Sequence, residues 1–272
     1  MPTIFIAEHH DQVLAFWKER HMTELDVVHF DFHCDMRGIM IDRKAGNAFF
    51  VSHQDTTFVD KGNYLAHAVM DGRVTKLTWV LNENAGRRCD TGPVVSYESD
   101  ALAPLLRRKH QQIGGRKVPL TYRQCLDADW GGMEPGQQLD LDWDALASVT
   151  YDAATQKRYI DAFLAKDLQH VPDITFLVYS PGYSNPDRRL FHAFGEALAE
   201  KFGAQIETLP GGDTWDTNSP YQHSSPGRQR LKRLMPSLVS AQFSHMKAMA
   251  KHWIRQRDAK HDMAFYEGTA GN

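Results

Sequence analysis

The sequence has 272 residues, of which 42% are hydrophobic and 24% are charged, and its formal net charge is −3. This length is enough for one large hydrophobic core, and the composition excludes a disordered chain. The near-neutral charge argues against a nucleic-acid partner. No apolar stretch approaches the roughly 20 residues that a membrane-spanning helix needs, so we expect no membrane partner either.

Short apolar runs alternate with amphipathic helical patterns, which predicts an α/β fold with a mostly parallel sheet. The predicted strands are TIFIA, LDVVHF, KLTWVL, QLDLDW and DITFLVYS. The predicted helices are DQVLAFWKER, GNYLAHAVMDG, TQKRYIDAFLAKDLQ and DRRLFHAFGEALAEKF. A loop is expected between LDVVHF and about residue 60. We interpret residues 1–272 as a single domain.

Two further features bear on location and partners. The cysteines Cys34, Cys89 and Cys125 lie far apart and show neither a disulfide framework nor zinc-site spacing, which favours a cytoplasmic protein. The C-terminal residues 228–260 are helical in pattern and contain nine Lys or Arg residues but one acid, Asp258. This basic face is either a solvated surface or a docking surface for an acidic segment of a partner or peptide.

The stretch VVHFDFHCD ends an apolar strand with Asp31, His33 and Asp35. Residues two apart in a strand share one face, so an extended chain would place these three side chains together. Carboxylates and an imidazole at the carboxyl end of a parallel strand would face the usual ligand crevice, where a divalent cation would relieve their repulsion.

Two other predicted strand ends carry side chains of the same kind. Asp140 and Asp142 in QLDLDWD again share one face, and His9 and His10 follow the first strand at the start of a helix. Taken singly, each could be a helix cap or a surface residue. Because three strand ends deliver such residues to the same edge, the sequence predicts a metal site there.

At EHHDQVL, VHFDFHCDM, GNYLAHAV, KLTWV, LDLDW and YSPGY, the chain resembles a small branch of the arginase and deacetylase superfamily. The similarity touches most of residues 4–187, and no match is found after about residue 205. Binuclear manganese members of the superfamily carry a His at a helix start, then D-x-H-x-D and a later D-x-D. The branch includes the peptide arginases of ribosomal-peptide biosynthesis.

This resemblance implies an arginase-like three-layer α/β/α fold, two Mn²⁺ ions per chain and conversion of arginine side chains to ornithine and urea. The implied partner is an arginine-containing peptide, such as a ribosomal precursor with a leader segment, and a homo-oligomer is left open. Asp31 and Asp140 would bridge the two ions. The other implied ligands are His10 and Asp35 for one ion and His33 and Asp142 for the second, with His9 as the neighbouring alternative to His10.

Two parts of the pattern depart from arginases that act on free arginine. MRGIMIDRKAGN lacks the Asn- and Ser/Thr-rich loop that holds the amino acid, which weakens the case for free arginine and is compatible with a peptide or another substrate. Ser180 in YSPGYSNPD replaces a Glu, so Glu83 and Asp187 are the candidate acidic partners of a guanidinium. The candidate catalytic residues are His67, His53 and Glu83, and the candidate substrate-binding residues are Asn63, Asp187 and Ser180.

Two alternatives remain open. The first is a metal-dependent amidohydrolase or deacetylase, since His9 and His10 resemble the paired histidines of zinc deacetylases. The third Asp of the first motif and the D-x-D pair favour two metals over one zinc. The second is a non-catalytic protein that keeps the metal and binds a partner through its basic C-terminal region.

Overall fold

The computed structural model describes residues 1–82, 94–96 and 103–211. All of them lie in one compact unit, Met1–Ser219. Glu83 and the basic residues 228–260 lie outside the described residues, and the single domain predicted over residues 1–272 stays a prediction. None of the helices in the described part combines the length and apolar character that a membrane crossing requires.

The centre of the unit is a sheet of seven strands in the order β11-β1-β10-β9-β2-β5-β8, and every neighbouring pair is parallel. Its strands are β1 (Thr3–Ala7), β2 (Leu25–Phe30), β5 (Val74–Leu81), β8 (Thr121–Leu126), β9 (Gln138–Asp142), β10 (Ile174–Val178) and β11 (Gln205–Thr208). The expected α/β fold with a mostly parallel sheet is thereby confirmed.

Helices connect these strands. They are α1 (Asp11–Glu19), α2 (His53–Thr57), α3 (Tyr64–Met70), α4 (Ala103–Ile113), α5 (Trp143–Ala147), α6 (Ala153–Ala165) and α7 (Arg188–Phe202), and a short 3₁₀ turn spans Asp127–Asp129. The strands predicted from the sequence are β1, β2, β5, β9 and β10, and each contains closely spaced apolar residues that are followed by polar ones.

Neighbouring residues of a strand place their side chains in two separate apolar clusters, one on each face of the sheet. Val27 packs in a cluster with Trp17 of α1 and Leu65 of α3. Its neighbour Val28 packs in a second cluster, with Phe163 of α6 and other side chains of α5 and α7. Because successive strand residues point to opposite faces, helices cover both faces of the sheet.

The prediction of a loop from the end of β2 to about residue 60 is wrong. It contains β3 (Ile39–Asp42) and β4 (Asn47–Phe50), which form an antiparallel hairpin, followed by α2. Two more strands, β6 (Val94–Ser96) and β7 (Val118–Pro119), complete a second, four-stranded sheet. The hairpin was missed because its strands are only four residues long and fully buried except at one end, so they lack the alternating pattern of a half-buried strand.

Candidate metal centre

Strands β2 and β9 are neighbours, and His29 of β2 lies beside Asp140 of β9. Both strands end in acidic residues, because Asp31 follows β2 and Asp142 is the last residue of β9. Asp140 and Asp142 share one face, as predicted, and both are buried. Parallel strands bring these carboxyl ends to one edge of the sheet, where ligand sites of such folds form.

The geometry around Asp31 differs from the extended chain that the sequence suggested. Strand β2 ends at Phe30, and the backbone N–H of His33 donates to Oδ1 of Asp31 at 2.7 Å. This local bond turns the chain, and Asp35 takes a left-handed φ of 47°. Asp31, His33 and Asp35 therefore meet at the site because the chain turns, not because they alternate along a strand.

His10 lies just before α1 and reaches the acidic residues with both ring nitrogens. Its Nδ1 is 3.2 Å from Oδ2 of Asp35 and 3.6 Å from Oδ2 of Asp142. Its Nε2 is 3.9 Å from Oδ2 of Asp31 and 3.9 Å from Oδ1 of Asp140. The imidazole is buried at the centre of four carboxylates, so the predicted role of His10 has a clear geometric basis.

His33 lies on the more open side of the cluster, and its side chain is 30% exposed. Its Nδ1 is 3.0 Å from Oδ2 of Asp144 and 3.8 Å from Oδ1 of Asp31. The predicted partner on this side was Asp142, but the structure brings Asp144 to His33. Asp142 instead accepts a hydrogen bond from Oγ of Ser180 at 2.8 Å.

His29 and Tyr64 lie at the buried base of the cluster. Nδ1 of His29 is 2.9 Å from Oδ2 of Asp140, and the hydroxyl of Tyr64 donates to the same oxygen. Nε2 of His29 is 3.1 Å from Oδ2 of Asp31. Asp140 is thus held at one carboxylate oxygen, which leaves its other oxygen turned towards His10.

Burial and mutual repulsion shift the pKa values of these groups. Burial raises the pKa of Asp31 and Asp142 well above the usual range, and the neighbouring carboxylates add to the effect. Burial likewise raises the pKa of Asp35 to about 7 and lowers that of His10 to about 4. Burial also acts to raise the pKa of Asp140, but the His29 hydrogen bond and nearby imidazoles outweigh it and lower the pKa. Burial thus favours the protonated form of Asp31, Asp35 and Asp142, whereas the lowered pKa values of His10 and Asp140 favour their unprotonated forms.

Four buried atoms of this cluster have no hydrogen-bond partner among the described residues. They are His10 Nε2, His29 Nε2, Asp31 Oδ2 and Asp140 Oδ1. Buried polar atoms are nearly always paired, and imidazole nitrogens and carboxylate oxygens are ligands for divalent metals. In two trios, His10–His29–Asp31 and Asp31–His33–Asp144, the ligand atoms lie within 4.8 Å of one another. These side chains can hold a metal ion.

A cavity of about 200 Å³ opens above the cluster. Its acidic wall is formed by Asp35, Asp142 and Asp144, and Arg37 and Lys61 also line it. The guanidinium of Arg37 is held by Asp55 at 2.9 Å and Asp60 at 2.7 Å. The remaining lining residues are His10, His33, Gly62, Ser180 and Tyr183. Bound metal would therefore be reached from this cavity.

Ser180 is the one predicted substrate residue that lines the cavity in the described part of the chain. It takes a left-handed φ of 52°, a costly conformation for a serine, and its hydroxyl fixes Asp142. Asn63, by contrast, is wholly buried and bonds Asp55, the carbonyl of Phe58 and the N–H of Asp60.

Three other predicted residues lie outside the cavity lining. Nε2 of His67 is 3.1 Å from the carbonyl oxygen of Phe58. His53 is exposed at the start of α2, and Asp187 is an exposed N-cap of α7 that accepts from the N–H of Arg189. The structure gives their predicted catalytic or substrate roles no support, and Glu83 lies outside the described residues.

Sequence reasoning missed His29, Tyr64 and Asp144. His29 precedes Asp31 by two residues and Asp144 follows Asp142 by two, so the same spacing that pointed to the aspartates also pointed to them. Tyr64 carries no such signal, because it reaches the site from α3.

Neither a scan against protein-family models nor a search of curated proteins found a match for the chain.

Proposed function

We propose that the chain is a manganese-dependent peptide arginase, which hydrolyses arginine side chains in a peptide to ornithine and urea. The observation that carries the proposal is the set of four unpartnered, buried ligand atoms below an open, acidic cavity. The motif resemblance supports the guanidinium chemistry and a peptide substrate, and the lack of a free-arginine loop weakens the case for free arginine.

In this proposal, the residues that would hold the two ions are Asp31 and Asp140 for both, His10 and Asp35 for one, and His33 and Asp142 for the other. Two divalent ions bound here would supply a water molecule whose pKa is lowered towards neutrality. Asp144 holds His33 at 3.0 Å, so it either orients that imidazole or joins the ligands itself.

The cavity walls fit a cationic side chain at the inner end. Asp35, Asp142 and Asp144 line the cavity, and their negative charge favours the entry of a cationic side chain. Arg37 is neutralised by Asp55 and Asp60, which makes it a fixed part of the wall. Water adds across the bond between the guanidinium carbon and the side-chain nitrogen, urea departs, and the peptide keeps the amine.

The test is product mass. Manganese-loaded protein is incubated with arginine-containing peptides and, separately, with free arginine, and Asp31→Asn serves as the blank. We expect the peptides to lighten by the mass of cyanamide and urea to appear in equal amount, with little change in free arginine. Two bound manganese ions without any change in mass would refute guanidinium hydrolysis on these substrates.

A metal-dependent amidohydrolase or deacetylase is the second candidate. The observation that favours it is that His10 and His29 direct nitrogens to the same buried position, since two imidazoles and carboxylates also suit zinc. Metal analysis separates the two candidates, because one zinc per chain and release of acetate from acetylated peptides would support this alternative.

A further inference from the structure

The carboxylate of Asp140 has two unlike oxygens. Oδ2 faces Nδ1 of His29 and accepts a hydrogen bond from Tyr64, whereas Oδ1 has no partner among the described residues. If Nδ1 of His29 carries the proton of its bond to Asp140, Nε2 presents a lone pair. That lone pair lies 3.1 Å from Oδ2 of Asp31, which is also unpartnered in the described part of the chain.

A lone pair and a carboxylate oxygen at this separation repel one another unless a cation lies between them. The side chains of His29 and Asp31 are both fully buried, so water does not screen that repulsion. Their two atoms also fail to make a hydrogen bond in the observed orientation, although they are close enough. Two ligands that share one cation would lie in this arrangement, close together and without a hydrogen bond between them.

The distances agree with one shared ion. For metal–ligand bonds of about 2.1 Å, neighbouring atoms of an octahedron lie about 3.0 Å apart and opposite atoms about 4.2 Å. Nε2 of His29 and Oδ2 of Asp31 are 3.1 Å apart. Nε2 of His10 is 3.9 Å from that same oxygen and 3.9 Å from Oδ1 of Asp140. The 3.1 Å separation matches neighbouring positions, and the two 3.9 Å separations fall between the neighbouring and the opposite value. None exceeds the roughly 4.2 Å that separates opposite ligands, so all of these atoms can reach one ion in a distorted coordination shell.

We propose that His29 is a metal ligand, and that His10 Nε2, His29 Nε2, Asp31 Oδ2 and Asp140 Oδ1 together hold one divalent first-row ion at the base of the cavity. This inference refines the metal site of the proposed function, because the motif pattern assigns no ligand at residue 29. The hydrogen bond to Asp140 fixes the His29 ring so that Nε2 faces the ion.

Two variants of His29 separate ligation from hydrogen bonding. In His29→Asn the amide can replace the Nδ1 donor to Asp140 but places no atom at Nε2. In His29→Gln the amide oxygen can replace Nε2 but the donor to Asp140 is lost. His110→Asn is the control, because His110 is another buried histidine whose Nδ1 lies 3.2 Å from the carbonyl oxygen of Phe50, outside the cluster.

The measurement is Mn²⁺ binding by the full chain, from metal content after equilibration and from titration against a chelator. We expect His29→Asn to lose one ion or to bind it more than about 100-fold more weakly, which exceeds the usual effect of losing a ligand's hydrogen-bond partner. His29→Gln should bind it more tightly than His29→Asn, and His110→Asn should match the wild type. Wild-type affinity in His29→Asn would overturn the proposal, as would a wild-type chain that binds no divalent ion.

A spectrum of the unaltered chain decides the matter if His29→Asn fails to fold. In ¹⁵N-histidine-labelled protein saturated with diamagnetic Zn²⁺ and with its histidine signals assigned, a metal-bound Nε2 of His29 supports the proposal, and a His29 imidazole that binds no metal overturns it. These experiments test the assignment of His29 as a ligand separately from the proposed function. Two ions held through His29 without urea release would refute only the function, and urea release with unimpaired binding in His29→Asn would refute only the ligand.

Discussion

The hydroxyl of Tyr64 donates a hydrogen bond to Oδ2 of Asp140, although the two residues are 76 positions apart in the sequence. The Tyr64 ring also stacks on the imidazole of His10, with ring centroids 5.0 Å apart and planes at 10°. One side chain of α3 thus orients two of the predicted metal ligands, which come from two other parts of the chain.

Replacing Tyr64 therefore tests how much these two contacts contribute to metal affinity. Tyr64→Phe keeps the stack on His10 and removes only the hydrogen bond, so we expect metal affinity to fall about 10- to 100-fold. Tyr64→Leu removes both contacts and should cost more. Chelator titration of the three proteins measures this, and equal affinities throughout would show that Tyr64 only fills space.

Asp144 is expected to matter as much as the aspartates of the D-x-D pair. Asp144→Asn removes the charge that faces His33 at 3.0 Å, and we expect metal binding at this side to weaken about 10-fold or more. Asp187→Asn is the matched control, since Asp187 is exposed and its amide replacement still caps α7. Metal content and urea release are measured for both, and equal behaviour of the two variants would exclude a role for Asp144.

His67 should make the stability of the metal-free chain depend on pH. Burial lowers its pKa, and the hydrogen bond to the Phe58 carbonyl and the charge of Asp71 oppose that shift without reversing it. As pH falls through the unfolded value of about 6.5, the unfolded chain binds a proton that the folded chain does not, so stability decreases by at most about 1.4 kcal/mol per pH unit.

The measurement for His67 is denaturant unfolding in the presence of a chelator from pH 8 to pH 5. His67→Gln keeps a donor for Phe58 but does not titrate, so its stability should fall less steeply with acid than that of the wild type. Parallel curves for the two proteins would contradict the lowered pKa, whatever the other groups contribute, because those contributions are common to both.

Gly38 is expected to tolerate no side chain. It has a φ of 87°, and a Cβ there would lie 2.3 Å from Cβ of Asp55. Gly38→Ala should therefore lower the free energy of unfolding by about 2 to 5 kcal/mol through backbone strain and overlap combined. Gly46→Ala is the control, because Gly46 has a similar φ of 62° but open space around it, and it should cost only about 1 to 2 kcal/mol. Equal losses in a urea titration would show that strain alone matters.

The acidic strand ends could be predicted because β2 is a largely apolar run that stops before Asp31, and β9 alternates Leu with Asp. Asp140 and Asp142 follow from alternation in β9, and His10 follows from its place between β1 and α1. His29 obeyed the same alternation but was treated as part of the apolar run. Tyr64, Arg37 and Lys61 could not be found in this way, because their places at the site depend on how α3 and residues 31–63 pack.

A predicted catalytic residue and a predicted substrate-binding residue show more clearly what the sequence could not predict. His67 and Asn63 were chosen from their position in GNYLAHAV, yet both bond the backbone carbonyl of Phe58. A sequence pattern places a residue on an element, but only the packing of residues 31–63 decides which side of that element meets the cavity. The hairpin in this stretch has no periodic signal, so its side chains had no predictable direction.

Arg37 lies just before the stretch that contains β3, β4 and α2, and it bonds residues at the end of that stretch. Its guanidinium bonds Asp55 and Asp60, and its backbone N–H donates to the carbonyl of Gly62. Arg37 therefore connects the beginning of this stretch to its end, at the wall of the cavity. Insertions or exchanges within residues 43–46, at the outer turn of the hairpin, would leave that anchor in place, so this segment can diversify in length and sequence while the carboxylates below it stay fixed.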